Sequence, residues 1–269
     1  MLVDGPDVRD LDLDAHAASG AVGATGTVAG RREPASSRRG EPVPAGATTG
    51  PKFSVVTDRL AELLEESQAC LAPLDEARGL PAAAFTDPEW FEAEQREIFA
   101  QSWIAVARSE DLSAPGSFRT ATIAREPVVV TRARDGVLHA MSNACPHRGT
   151  LICKGSGTAP SLQCPNHAWT FGHDGQLRAA PHMAESFDVG SVCLPRFAVA
   201  EWNGFVLVNL DSTASSPAEQ LAGLDEVIAG EPLTDLVRIG ELHYPTPWNW
   251  KISVENFVES YHHRPVHPE

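Results

Sequence analysis

The sequence has no uncharged apolar run approaching the ~18 residues that a membrane-spanning helix needs. It has no apolar signal core either, because the N-terminus, MLVDGPDVRDLDLD, alternates apolar and acidic residues. Double arginines occur at Arg31-Arg32 and Arg38-Arg39, but no hydrophobic stretch follows them. A twin-arginine export signal is therefore not expected, and cytoplasm is the default. Basic residues are scarce: Lys+Arg is 21 against Asp+Glu 36 in 269 residues, a formal charge of -15. So acidic a chain has no electrostatic footprint for nucleic acid or an anionic membrane. The five cysteines, Cys70, Cys145, Cys153, Cys164 and Cys193, are odd in number. They argue for thiols or metal ligands over a disulfide framework. Residues 1–50 contain no Phe, Trp or Tyr and are rich in Gly, Ala, Pro and Ser. They cannot bury enough surface to offset their ordering entropy, so they read as disordered, or as the product of an overcalled start codon.

From Phe53 the pattern changes. Val56, Leu60, Leu63 and Leu64 have helical spacing. In DPEWFEAEQREIFAQSW, Asp87 predicts an N-cap with Pro88 at the first helical position. Trp90, Phe91, Ile98 and Phe99 are expected on the apolar face. Residues 51–100 hold 4 basic and 11 acidic side chains, a net of 4 − 11 = −7, read as a solvated helix face. Residues 102–211 read as short β-strands, with hairpin signals at Asp135-Gly136, Asp174-Gly175 and Asn203-Gly204. Helical character returns in SPAEQLAGLDEVIAG, and again in NWKISVENFVESYHHRPVHPE up to Pro265.

Cys145-Pro146-His147-Arg148-Gly149 is followed, after sixteen residues from His147, by Cys164-Pro165-Asn166-His167-Ala168-Trp169. Two thiolates and two imidazoles on two loops can hold a metal centre. One candidate is a tetrahedral zinc of the two-Cys, two-His type. The other is a [2Fe–2S] cluster with Cys on one iron and His on the other. The tight, Pro-containing loops among β-hairpins favour the second.

These loops resemble the Rieske motif, CxHRG followed by CPYHGW(T/S)(Y/F). The resemblance implies that Cys145 and Cys164 ligate one iron and His147 and His167 the other. Asn166 replaces the usual aromatic residue, and Ala168 the usual Gly, so Ala168 is strained if its φ is positive. Respiratory-chain Rieske proteins carry an extra cysteine pair, and the matching positions here are Thr150 and Asn166. The absence of that pair implies the low-potential oxygenase or ferredoxin kind. Cys70, Cys153 and Cys193 are expected to be ordinary thiols.

A second constellation is Glu259, His262, His263 and His267. Glu259 and His262, three apart, are expected on one helix face. Pro265 must break the helix and let His267 fold back beside His262. Two imidazoles plus a carboxylate make the facial triad of non-haem Fe(II) oxygenases. The alternative is a surface helix end with stray histidines. NWK, ENF, E-x-YH and the second His resemble the signature of Rieske non-haem iron oxygenases, the ring-hydroxylating dioxygenase α-subunit family. The E-x-YH form is more similar to the choline, betaine and carnitine branch. The resemblance covers roughly residues 51–269. It implies that His262 and His267 bind a mononuclear Fe(II), and that Glu259 lies between that iron and a neighbouring subunit's cluster. His263 is expected to lie behind the ligands or face solvent.

The fold expected is α+β: residues 51–101 a helical lead-in packing on the catalytic domain, 102–211 an antiparallel β Rieske [2Fe–2S] domain, and 212–269 the incomplete start of a helix-grasped catalytic domain. The family's third ligand, a distant downstream Asp, has no counterpart here, so the chain reads as an N-terminal fragment or part of a split gene. The resemblance implies an oxygenase component that hydroxylates or N-demethylates an aromatic or quaternary-amine small molecule with O₂. Its electrons come from NAD(P)H through a reductase, with or without a ferredoxin. When complete it forms a homotrimer or an α/β hetero-oligomer. The alternatives are a Rieske ferredoxin-like electron carrier and an inactive fragment.

Overall fold

A computed structural model describes residues 56–241 and 245–267, so the disorder expected over 1–50 lies outside the described residues. Helix α1 (Asp58–Ser67) starts at Thr57, whose hydroxyl accepts the Leu60 N–H at 3.1 Å and satisfies one free donor of the first turn. Leu60 and Leu63 are buried, whereas Val56 precedes the cap and is exposed. After α2 (Ala83–Thr86), α3 (Pro88–Glu94) begins as its sequence predicts, with Asp87 accepting the Glu89 N–H and Pro88 in the first turn. The chain then widens into a π-helical turn, Gln95–Phe99, closed from the Ala100 N–H to the Gln95 carbonyl.

The expected apolar face is corrected on both sides of that turn. Ahead of it, Phe91 is exposed while Ala93 and Glu94 are buried. The π-turn adds one residue to the repeat, and within it Ile98 is exposed and Glu97 buried. The acidic stretch is therefore not a uniformly solvated face.

Ten strands follow among the described residues: β1 (Ile104–Arg108), β2 (Ser117–Ile123), β3 (Glu126–Arg132), β4 (Leu138–Ser142), β5 (Ser156–Thr158), β6 (Leu162–Gln163), β7 (Thr170–Phe171), β8 (Leu177–Ala179), β9 (Arg196–Trp202) and β10 (Phe205–Asn209). Seven form an antiparallel sheet in the order β1-β10-β9-β4-β3-β2-β5, and β6-β7-β8 form a second, small sheet. Side chains alternate across a strand. Val129 therefore joins the core beneath the small sheet, with Met141, Leu162, Phe171 and Leu194, while Val128 and Val130 join Leu112, Ile123 and Val206 on the other face. Burial on both faces explains the uninterrupted PVVVT run. The three dipeptide signals all mark turns: Gly136, Gly175 and Asn203-Gly204 have positive φ. At Asn203-Gly204, with φ 46° and 78°, this suits a two-residue hairpin between β9 and β10.

Helix α4 (Pro217–Val227) is capped by Ser216. The stretch 233–241 is then tied to the sheet by charge. Arg108 Nη2 donates to the Leu233 and Leu236 carbonyls at 2.8 and 2.7 Å. Asp111 pairs with Arg119 and Arg238, and Glu241 pairs with both of those arginines. None of the described helices is long and apolar enough to cross a membrane.

The last segment departs from the expected helix up to Pro265. Helix α5 (Trp250–Val258) ends at Glu259, which is extended at φ −118° and ψ 148°. A separate one-turn helix, α6 (His263–Val266), contains Pro265 in its first turn, where the missing N–H has no helical partner to lose. The break therefore precedes the proline, and Glu259 and His262 do not share a helix face.

Candidate functional site

The two cysteine–histidine loops are the tips of two hairpins. In the first, Ala144 pairs with Leu151, the Cys145 N–H donates to the Thr150 carbonyl, and the Gly149 N–H returns to the Cys145 carbonyl. In the second, β6 pairs with β7 beneath Cys164, whose N–H donates to the Trp169 carbonyl. Each tip is a tight turn that aims a thiol inward and an imidazole outward. Cys145 and Cys164 are buried, His147 is partly exposed and His167 exposed. The loops meet side by side, with Cys164 near enough to Cys145 to raise its thiol pKa and the His147 and His167 rings 4.6 Å apart in an edge-to-face arrangement. Asn166 Nδ2 donates to Thr150 Oγ1 across the loops at 3.4 Å.

Ala168 has φ 57°, so the expected strain is present at the residue between His167 and Trp169. Trp169 lies parallel to the His147 ring at 4.9 Å, with Phe187 behind it at 5.6 Å. This stack fixes the plane of His147, a role that the motif match alone did not reveal. Burial raises the Cys145 thiol pKa, and the facing Cys164 adds to the effect. Desolvation lowers His147, helped by His167 and Arg148. A neutral imidazole is the form that binds metal. Beside the imidazoles opens a groove of about 610 Å³ lined by Arg148, Asn166, His182 and Met183.

The donors form two pairs. Among the described residues, no three His, Cys, Asp or Glu side chains converge on one ion position. A sulfur pair beside a nitrogen pair suits two metal atoms, as in a Rieske [2Fe–2S] group.

In the second constellation, His267 does come back to His262, with ring centroids 5.8 Å apart. The turn that returns it is built on Glu259. Glu259 Oε2 accepts the N–H groups of Tyr261 at 2.5 Å and His262 at 3.3 Å, and Oε1 faces His262 Nδ1. Glu259 is held below the usual carboxylate range, first by the His262 hydrogen bond. A carboxylate on Nδ1 leaves Nε2 of His262 for a metal. His263 stands 4.6 Å from His262 and 6.0 Å from His267, centroid to centroid. His262 is partly exposed, and Glu259, His263 and His267 are exposed.

Two further groups were not foreseen. Glu94 is buried on the lead-in and Lys251 is buried on α5, and they pair at 2.5 Å. Trp90 Nε1 and Trp250 Nε1 each donate to the Glu94 carboxylate at 2.9 Å. A cavity of about 220 Å³, lined by Leu60, Leu64, Trp90 and Ile98, lies against this pair. The i,i+4 pairing of Trp90 with Glu94 is the one signal in the sequence that could have singled out this acid.

Residues 102–201 match the Rieske [2Fe-2S] domain, and residues 233–269 match the ring hydroxylating alpha subunit (catalytic domain). The chain is 39% identical over 204 residues to the carnitine monooxygenase oxygenase subunit of Acinetobacter baumannii, covering 74% of this chain and 55% of that one. It is 34% identical over 218 residues to the glycine betaine monooxygenase oxygenase subunit of Chromohalobacter salexigens, covering 80% and 49%. A solved quaternary ammonium Rieske monooxygenase, described for carnitine oxidation and inter-subunit electron transfer, superposes with a TM-score of 0.66 at 39% identity, over 70% of this chain and 53% of that one. The chain thus spans about half the length of the curated relatives it matches.

Proposed function

The chain belongs to the Rieske non-haem iron oxygenase family, and on that premise we propose that it serves as the oxygenase component of a system acting on a quaternary-amine substrate. The observation that carries this reading is the pair of facing imidazoles beside two buried cysteines at the two hairpin tips, followed by the His262–His267 pair turned by Glu259. The substrate class rests on the carnitine and glycine betaine relatives.

Under this reading Cys145, Cys164, His147 and His167 hold a [2Fe–2S] cluster, and His262 and His267 contribute to a mononuclear Fe(II) site. When bound, the cluster carries single electrons and the Fe(II) activates O₂. The protein's own groups do the rest. Trp169 holds the plane of His147, and burial keeps water from the two sulfurs. Glu259 holds the tautomer of His262 and can take or return its Nδ1 proton. The partners are a reductase drawing on NAD(P)H, with or without a ferredoxin, and further subunits in a homotrimer or α/β hetero-oligomer in the cytoplasm.

The test is iron and sulfide analysis of anaerobically purified protein, EPR of its reduced form, and O₂-dependent turnover of carnitine and betaine with a reductase. About two iron and two sulfide per chain in the cluster, with a low-average-g signal, is expected from the ligand set. Stoichiometric zinc without sulfide sinks the cluster reading. A reducible cluster in protein that never turns over any quaternary amine supports the electron-carrier alternative instead.

A further inference from the structure

The two ligand loops are closed differently at their bases. Below Cys164, the second loop stands on main-chain rungs, Gln163 with Thr170 and Leu162 with Phe171. Below Cys145, the first loop has the single rung Ala144–Leu151. Beside it the main chain makes one further bond, the Ile152 N–H donating to the Asn143 carbonyl, and the rung beyond that, at Cys153, is made by a side chain. Asn143 fills the gap with its side chain. Its Oδ1 accepts the Cys153 N–H and its Nδ2 donates to the Cys153 carbonyl, both at 2.9 Å. Its main chain is also used, with N–H to the Pro127 carbonyl at 2.7 Å and C=O from the Ile152 N–H at 2.9 Å. Asn143 is 3% exposed and has every polar group satisfied.

A carboxamide is the side chain that presents one donor and one acceptor side by side, as a peptide group does. Asp lacks the donor, Ser cannot span both groups, and an apolar residue leaves the part-buried Cys153 N–H and C=O without these partners. We propose that Asn143 is a positioning residue for the cluster: its carboxamide replaces a β-rung at the base of the first loop and so sets Cys145 and His147 against Cys164 and His167. The inference rests on the cluster reading above. It predicts that the cluster's electronic signature, and not only the fold's stability, depends on this side chain.

The experiment compares wild type, Asn143→Ala, Asn143→Asp and Asn209→Ala as cluster-loaded full chains. Asn209 is an equally buried carboxamide whose Nδ2 holds the Gln101 carbonyl at 2.9 Å, outside both loops. Readouts are EPR g-values of the reduced cluster, its reduction potential, the rate of cluster loss to a chelator, and thermal stability. Groups that orient metal ligands typically change metal retention by roughly 10–100-fold, so cluster loss from Asn143→Ala should accelerate on that scale. Its g-values and potential should move as well. Asn143→Asp, which keeps the acceptor for the Cys153 N–H, should fall between Asn143→Ala and wild type. Asn209→Ala should lower thermal stability with wild-type g-values and loss rate. The proposal is overturned if the Asn143 variants melt early like Asn209→Ala but keep the wild-type signal, potential and lifetime. If Asn143→Ala does not fold, the same comparison on Asn143→Asp decides. Wild-type protein that takes up no iron and sulfide overturns the cluster reading itself, and this inference with it.

Discussion

Removing one partner of the Glu94–Lys251 pair should destabilise the protein far more than an ordinary charge change. Both groups are buried, with side chains 5% and 8% exposed, so neither can return to water when its partner is lost. In Lys251→Met the Glu94 carboxylate keeps two indole N–H donors but loses its counter-charge. In Glu94→Gln one carboxylate oxygen becomes an NH2 donor, so the two indoles no longer both find an acceptor, and the Lys251 ammonium loses its counter-charge beside the Phe85 and Trp250 rings, at 5.4 and 5.3 Å. Breaking a buried pair by removing one partner costs about 3–5 kcal/mol. At about 2–4 °C per kcal/mol for a domain of this size, each single variant should melt roughly 6–20 °C early.

The double variant separates this account from simple loss of packing. Glu94→Gln with Lys251→Met leaves no buried charge, and such replacements are often close to neutral. The double variant should therefore lose much less than the sum of the singles, with a coupling energy of about 2 kcal/mol or more. Denaturant unfolding of the four proteins measures this. Singles that each cost less than about 0.5 kcal/mol, the range of surface substitutions, refute the reasoning. So does strict additivity, because then the two charges do not interact.

Three other outcomes are expected. Ala168→Gly should stabilise the protein by up to about 1 kcal/mol, since the left-handed conformation costs a non-glycine residue about 1–2 kcal/mol and the added chain entropy of Gly returns part of that; a loss in denaturant unfolding would mean that the Ala168 methyl packs productively. Burial pushes the Cys153 thiol up to about 11, so its alkylation by iodoacetamide should stay slow at neutral pH and rise only in strong alkali, followed by peptide mass spectrometry; rapid labelling of folded protein at neutral pH would contradict this. Glu259 is held below the usual carboxylate range, so the turn at Tyr261 and His262 should be fully formed above the ordinary carboxylate pKa and be lost as pH falls through the lowered folded value; amide shifts of Tyr261 and His262 that stay constant through acid titration would remove Glu259 from that role.

The cluster loops were legible because their chemistry is local. Cys145, His147, Cys164 and His167 announce themselves by spacing, and the glycines at 136, 175 and 204 sit where the chain must take positive φ. The strain at Ala168 could also be read, since it needed only the motif's usual Gly and this chain's departure from it. The end of α5 was read less well. Pro265 is a strong signal against a helix interior, but a helix can begin just before a proline as easily as end there. The stop is set by Glu259, whose carboxylate satisfies the N–H groups of Tyr261 and His262 and opens a new turn. His262 and His267 still meet, through a different path from the one expected.

What could not be read is the partnership of residues far apart in the chain. Glu94 is one of 11 acids in residues 51–100, and only Trp90, four residues before it, hints that it is buried. Its partner stands 157 residues away, and the pair forms only because α5 lies against the lead-in, with Trp250 edge-on to Phe99 at 5.1 Å. Asn143 is a similar case. Next to a strand end, an Asn reads as a turn former, and its use as a rung becomes visible only once the returning chain at Cys153 is seen beside it. Both residues frame the segments proposed to bind metal rather than belong to them. Asn143 closes the base of the first cysteine–histidine loop, and Glu94 holds the start of the helix that leads into Glu259 and His262. Metal-ligating side chains can be found by type and spacing, because coordination restricts both. The groups that orient them are restricted only by geometry, so they emerge from the fold.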